Sequence, residues 1–267
     1  MRARAPIGIL LTHALLVASF AAGAMAAWRS DPPPADPFKD HGVPVETRRK
    51  ALAKRAKEKE RSELLELLDA VNECGDCAAS RDLAGMLESW DAKELAAPQT
   101  MTTLIEMAAP EKPAPVRVAA ARAVNAVPEA SRPDAAKPLA VQRIEIVCVP
   151  AAMRWDPKDV SATAGRVVEI RMKNDDTLVH NLLVTTPGSL AEIGVAADRF
   201  GETAEGKARE YVPDSPKVLH VMGLIDPGKT GSLWFIAPEK PGTYPLICTY
   251  PGHWRMMNGK LRVKAPE

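Results

Sequence analysis

The run Cys248-Thr249-Tyr250-Pro251-Gly252-His253-Trp254-Arg255-Met256-Met257-Asn258-Gly259 constrains this chain more than any other feature. It places a thiol, an imidazole and thioethers in one short segment. On one side lies Gly242 to Cys248, on the other Gly259 to Val263, both β-rich in texture. The donors therefore belong to a loop between two strands.

The surrounding sequence supports a β scaffold. From Leu139 onward, short β-rich runs alternate with turn signals. The predicted strands are Arg143 to Val149, Val160 to Ala162, Val167 to Lys173, Asn181 to Thr185, Val218 to Leu224, Gly231 to Ile236, Gly242 to Cys248 and Gly259 to Val263. Strands at that density in one domain-sized segment predict a β-sandwich. A longer insertion, Pro187 to Ser215, interrupts them and is expected to hold a short helix.

Period-two alternation puts Tyr244, Leu246 and Cys248 on one face, and Met257, Gly259, Leu261 and Val263 on one face of the next strand. His180, Leu182 and Val184 share a face of theirs. His180 is thus the best candidate for a second imidazole beside the loop. Only five histidines exist: His13 and His41 fall in N-terminal segments, and His220, in mid-strand, reads as structural. Thiolate and thioether favour Cu(I), while imidazole serves both copper oxidation states. One Cys, two His and a weak axial Met form the donor set expected of a blue-copper site.

Here the sequence resembles a known family. Cys-Thr-Tyr-Pro-Gly-His-x-x-x-Met-x-Gly is similar to the ligand loop of azurin and auracyanin, within the cupredoxins. His180-Asn181 matches the upstream His-Asn of that family. Tyr211-Val212-Pro213-Asp214-Ser215-Pro216-Lys217-Val218 resembles the stretch after the azurin helical insertion. The resemblance runs from about Ile144 to Val263. It implies a Greek-key β-sandwich with one mononuclear type 1 copper held by His180, Cys248, His253 and Met257. Met257 rather than Met256 is then the axial ligand, and Met256, of opposite parity, is expected to lie outward or against the neighbouring loop. Azurin-type proteins also set a backbone carbonyl opposite Met, from the residue before the first His. That residue is Val179 here, at a position where the family usually has glycine. Asn181 is expected to tie its strand to the loop through Thr249, and the N–H groups of Asn181 and Tyr250 to donate to the Cys248 sulfur. Trp254 and Pro251 are expected to form an apolar docking patch beside the outer edge of His253.

The N-terminal half reads differently. Arg2 and Arg4, an apolar run from about Ile7 to Ala27, and Ala24-Met25-Ala26 suit an export signal over residues 1–26. An uncleaved membrane anchor is the other reading of that run. Residues 27–44 form a Pro-rich tether. Residues 45–127 are helical in pattern, with helices expected over Lys50 to Asn72, Arg81 to Leu95 capped by Ser80, Thr100 to Ala108, and around Val116 to Val124 with Pro115 in the first turn. The last resembles the second helix of a HEAT-type repeat. Residues 128–140 read as a linker and 141–267 as the sandwich. In an oxidising compartment Cys74 and Cys77 are expected to form a local disulfide, and Cys148 to remain a buried thiol.

These readings converge on an exported carrier of single electrons, mostly β, with a small all-α HEAT-like module in front. Copper delivery or storage is the alternative. A multicopper enzyme would need more histidines than the chain has. The net charge of +1 and the lack of any Lys/Arg block interleaved with aromatics argue against nucleic acid. No small-molecule substrate is expected. Redox proteins such as c-type cytochromes or membrane dehydrogenases are the expected partners by family analogy, with the helical module free to dock a protein.

Overall fold

A computed structural model describes Leu87, residues 90–201 and residues 203–266. All of these belong to one compact unit. The expected signal, the tether, the first helix and the Cys74/Cys77 pair lie outside the described residues. Among the described residues no helix is long and apolar enough to cross a membrane.

From residue 90 onward three helices come first: α1 (Ala92–Leu95), α2 (Pro98–Met107) and α3 (Ala114–Ala126). The helix expected through Leu95 is interrupted at Trp90, and α1 starts afresh at Asp91. The reason is a capping box. Asp91 Oδ1 accepts from Glu94 N at 2.8 Å, and Glu94 Oε2 accepts from Asp91 N at 2.8 Å. Both α2 and α3 carry proline in the first turn, where the missing N–H costs no helical bond. Alanines 119, 120 and 123 in α3 let it approach α2 closely, around Leu104, Met107, Val116 and Val124. Among the described residues the expected HEAT-like stack comes to this one helical pair. The Pro-rich segment after α3 folds into two 3-10 turns, Glu129–Ser131 and Asp134–Leu139. Arg132 fastens it by donating to Val127 O at 2.7 Å, and Ala136 is buried in the helical core.

Among the described residues nine strands follow, in two sheets. One has the order β2-β1-β4-β7: β2 (Arg154–Asp156), β1 (Gln142–Val149), β4 (Val167–Asn174) and β7 (Thr230–Ile236). The other has the order β3-β9-β8-β5-β6: β3 (Asp159–Thr163), β9 (Asn258–Lys264), β8 (Gly242–Ile247), β5 (His180–Thr185) and β6 (Val218–Ile225). β1 runs parallel to β4 and β3 parallel to β9; the remaining pairs are antiparallel. This is the cupredoxin β-sandwich. Ile146, Cys148, Val168, Ile170 and Met172 from one sheet face Leu182, Val184, Leu246 and Leu261 from the other.

The insertion between β5 and β6 holds two helices rather than one, α4 (Leu190–Asp198) and α5 (Ala204–Ala208). α4 seats Ile193 on Leu183 and Ile247, which point away from the sandwich core. β5 is therefore buried on both faces along its whole length. The helical segment sits against β4 and β7. Arg122 of α3 stacks on Trp234 at 4.8 Å, and Arg117 Nη2 donates to Gly165 O at 3.4 Å. On the same sheet buried Glu169 pairs with Arg143 at 2.7 Å and accepts from Ser232 Oγ at 2.9 Å.

Candidate metal centre

Four residues from two places in the chain meet at one end of the sandwich. His180 opens β5. Cys248 follows β8, and Met257 immediately precedes β9. Tyr250 to His253 forms the turn between them, with His253 N donating to Tyr250 O at 3.0 Å and Gly252 at φ +81°. Pro-Gly at the central positions with positive φ at the glycine is the type II pattern. The loop is then closed twice. Met257 N donates to His253 O at 2.8 Å, and Cys248 N donates to Met257 O at 3.0 Å. Gly259 belongs to the same constraint. A Cβ there would meet Lys158 O at 2.0 Å, so only a bare backbone lets the start of β9 pass beneath the segment before β3.

Cys248 Sγ lies 3.8 Å from His180 Nδ1 and 3.7 Å from His253 Nδ1. One donor atom from each of the three residues falls within 4.8 Å of the others. Metal–nitrogen and metal–sulfur bonds of about 2.0 and 2.3 Å, spread trigonally, separate N from S by about 3.7 Å. The donor set thus has the spacing that a single ion requires. His180, Cys248 and Met257 are fully buried and His253 is 3% exposed. Met257 contributes a thioether to the same buried cluster as Cys248.

Electrostatics follow from burial. Burial pushes the Cys248 thiol up to about 12, opposed by backbone N–H groups of Tyr250 and Asn181 that donate toward sulfur. Burial lowers both His180 and His253, favouring neutral imidazoles. Neutral rings with free Nδ1 lone pairs suit a metal, and a thiol in this setting gives up its proton when an ion replaces it.

The other residues singled out from the sequence surround this group. Asn181 Nδ2 donates to Thr249 Oγ1 at 2.8 Å and to Glu210 O at 2.9 Å, while Asn181 Oδ1 accepts from Thr249 N at 2.7 Å. One side chain therefore joins β5, the ligand loop and the end of α5. Tyr250 stacks at a tilt on His253 (4.8 Å) and edge-on to Tyr211 (5.2 Å). Val179 is half-buried at the approach to β5. Met256 is 61% exposed.

Two placements differ from expectation. Trp254 is no surface pad. Its indole rests on Gly194 of α4, and its Nε1 donates to Asp198 Oδ2 at 2.9 Å. His253 has little open edge, because Tyr250 and the turn cover it. The exposed large apolar side chains flanking the ligands in sequence are instead Leu178 and Met256.

One residue was not singled out at all. Asp176, 5% exposed, meets His180 Nε2 through Oδ2 at 3.1 Å. Burial alone would raise its carboxyl, but N–H donors from Ala151 and Thr177, with His180, hold it below the usual carboxylate value. Its sequence signal, an acid four residues before His180 in Asn-Asp-Asp-Thr, reads as an ordinary turn.

Comparison with known proteins finds relatives over the same part of the chain. Residues 143–264 match the model for copper binding proteins of the plastocyanin/azurin family. Auracyanin-A of Chloroflexus aurantiacus is 32% identical over 121 residues, covering 45% of this chain and 73% of that protein. Auracyanin-B of the same organism is 30% identical over 125 residues, covering 46% of this chain and 52% of its own length. Azurin of Pseudomonas aeruginosa is 33% identical over 88 residues, covering 32% of this chain and 56% of its own. Among solved structures, auracyanin A, described as a "blue" copper protein, aligns with a TM-score of 0.42 at 31% identity, over 46% of this chain and 99% of that one.

Proposed function

The chain belongs to the plastocyanin/azurin family of copper-binding proteins, and we propose that it is an exported carrier of single electrons rather than an enzyme. In this reading His180 Nδ1, Cys248 Sγ and His253 Nδ1 would hold one type 1 copper, with the Met257 thioether as a fourth, weaker donor. Copper bound there supplies the Cu(I)/Cu(II) couple. The chain's own residues do the rest. Two strands and a doubly closed loop hold the donors in one arrangement, so that neither oxidation state requires them to move. Asn181, through Thr249, keeps the loop in register with β5. The N–H groups of Asn181 and Tyr250 stabilise electron density on sulfur.

The carrying observation is the enclosed, pre-spaced His180–Cys248–His253 group. Enclosure also favours a carrier over a delivery protein, because easy exchange needs open ligands. Residues 141–267 are the electron-carrying unit. Residues 45–127, joined through 128–140, are a module for docking. The partners are redox proteins such as c-type cytochromes or membrane dehydrogenases, met at the ligand-loop end where Leu178 and Met256 are exposed.

The test is addition of Cu(II) to the purified protein. An intense thiolate-to-copper charge-transfer band is expected, with reversible one-electron cycling and no loss of metal. Cys248→Ser should abolish the band. Met257→Leu should keep it and raise the potential. Loss of copper binding in Met257→Leu would contradict the axial role, and a colourless wild type would overturn the reading as a whole.

A further inference from the structure

His180 presents Nδ1 to Cys248, and its other ring nitrogen points into protein rather than solvent. There it meets a carboxylate whose other oxygen is already engaged. Asp176 Oδ1 accepts from Thr177 N at 2.7 Å and Ala151 N at 3.1 Å, with Thr177 Oγ1 at 3.5 Å, while Oδ2 faces His180 Nε2 at 3.1 Å. The carboxylate cannot drift, because the loop beneath it is pinned. Asp176 N donates to Asn174 Oδ1 at 3.1 Å. Asn174 Nδ2 donates to Leu178 O and Ile225 O, both at 2.8 Å, tying the loop to the end of β6. Ala151 stands at φ +54° in the turn between β1 and β2, and its N–H reaches Asp176 in the loop that leaves the neighbouring strand β4.

We propose that Asp176 is a positioning residue for the metal centre: its carboxylate takes the Nε2–H of His180, fixes Nδ1 as the nitrogen that faces the ion, and sets a buried negative charge one imidazole away from it. The inference rests on the copper reading above. A carboxylate on the outer nitrogen of a metal-ligating histidine orients the ring and raises its basicity. The charge balance has a direction. Cu(II), one thiolate and Asp176 sum to zero, whereas Cu(I) with the same two groups leaves one uncompensated negative charge inside the sandwich. Asp176 thus favours the oxidised state. Asparagine offers nearly the same shape without the charge.

The experiment compares wild type, Asp176→Asn and Asp176→Glu by redox titration and visible spectrum, with imidazole N–H resonances followed in the diamagnetic Cu(I) form. In Asp176→Asn the Cu(II)/Cu(I) ratio at a fixed potential should fall at least tenfold, about 59 mV for one electron. Asp176→Glu should recover most of that shift. In wild type the Nε2–H of His180 should be visible and slow to exchange, and in Asp176→Asn it should exchange faster. A coloured wild type with an unshifted Asp176→Asn overturns this proposal and leaves the copper reading intact; a colourless wild type overturns that reading itself. Should Asp176→Asn not fold, the wild-type resonance still decides, because a rapidly exchanging Nε2–H in wild type overturns the proposal unaided.

Discussion

Gly194 lies directly beneath the indole of Trp254: a Cβ built on Gly194 would fall 2.1 Å from Trp254 Cδ2. The insertion helix thereby grips the residue next to His253. Asp198, one turn further along, accepts from Trp254 Nε1 at 2.9 Å and pairs with Arg255 at 2.9 Å, while Arg255 stacks on the same indole at 4.4 Å. Replacing a helical glycine by alanine ordinarily stabilises by about 1 kcal/mol. Here Gly194→Ala should destabilise by about 1–3 kcal/mol, because the indole must move. Thermal unfolding of the copper-loaded protein checks the sign; a raised Tm would mean that the indole is not seated there.

Asn181 bridges three segments with one amide. Asn181→Ala leaves the buried Thr249 N–H and Glu210 carbonyl without their partner. The expected loss is about 2–3 kcal/mol, with faster release of copper to a chelator. Unfolding in urea and a chelator time course measure the two effects. Unchanged stability would show that water or a neighbour replaces the amide.

Cys148 is a buried free thiol in the same core as Cys248. Burial pushes it up to about 12, with Cys248 adding to the shift. Cys148→Ala should cost about 1 kcal/mol through the small void it leaves and should keep the charge-transfer band. In the folded metal-free protein neither thiol should react readily with a thiol reagent at neutral pH, since thiolate and access are both lacking. A band lost in Cys148→Ala would assign the wrong sulfur to the metal.

His220 packs against Phe235 at 4.6 Å, and burial lowers it from 6.5 to about 4. Between those values the unfolded chain binds a proton that the folded protein refuses. The stability contribution is therefore complete above pH 6.5 and is lost as pH falls through 4. Between pH 7.5 and 4.5 that amounts to about 2–3 kcal/mol. His180 and His253 add slopes of the same sign, so metal-free wild type is best compared with His220→Phe, which keeps both. Urea midpoints at several pH values should give a shallower acid loss in the variant; parallel profiles would mean that His220 is protonated in the fold.

The ligand set was legible because it is written locally. Cys248, His253 and Met257 sit in one loop between two β-rich runs, and His180 follows from strand parity and the scarcity of histidine. What was not legible depends on distant pairs. Asp176 looks like a turn residue until the fold brings its carboxylate under His180. Trp254 looks like a surface aromatic until α4 arrives with a bare Gly194. β2 escaped because three residues around Trp155 are too few for an alternation to register. The break before α1 was written as Asp91-x-x-Glu94, but the apolar spacing of Leu83, Leu87 and Trp90 read across it.

β5 has core on one side and the insertion helix on the other. All six of its positions are buried, so a bulkier side chain at any of them must displace a packed neighbour. A different affinity or potential is more easily reached beside its first residue, where Asp176, Leu178 and the turn before His253 gather, than along the strand itself.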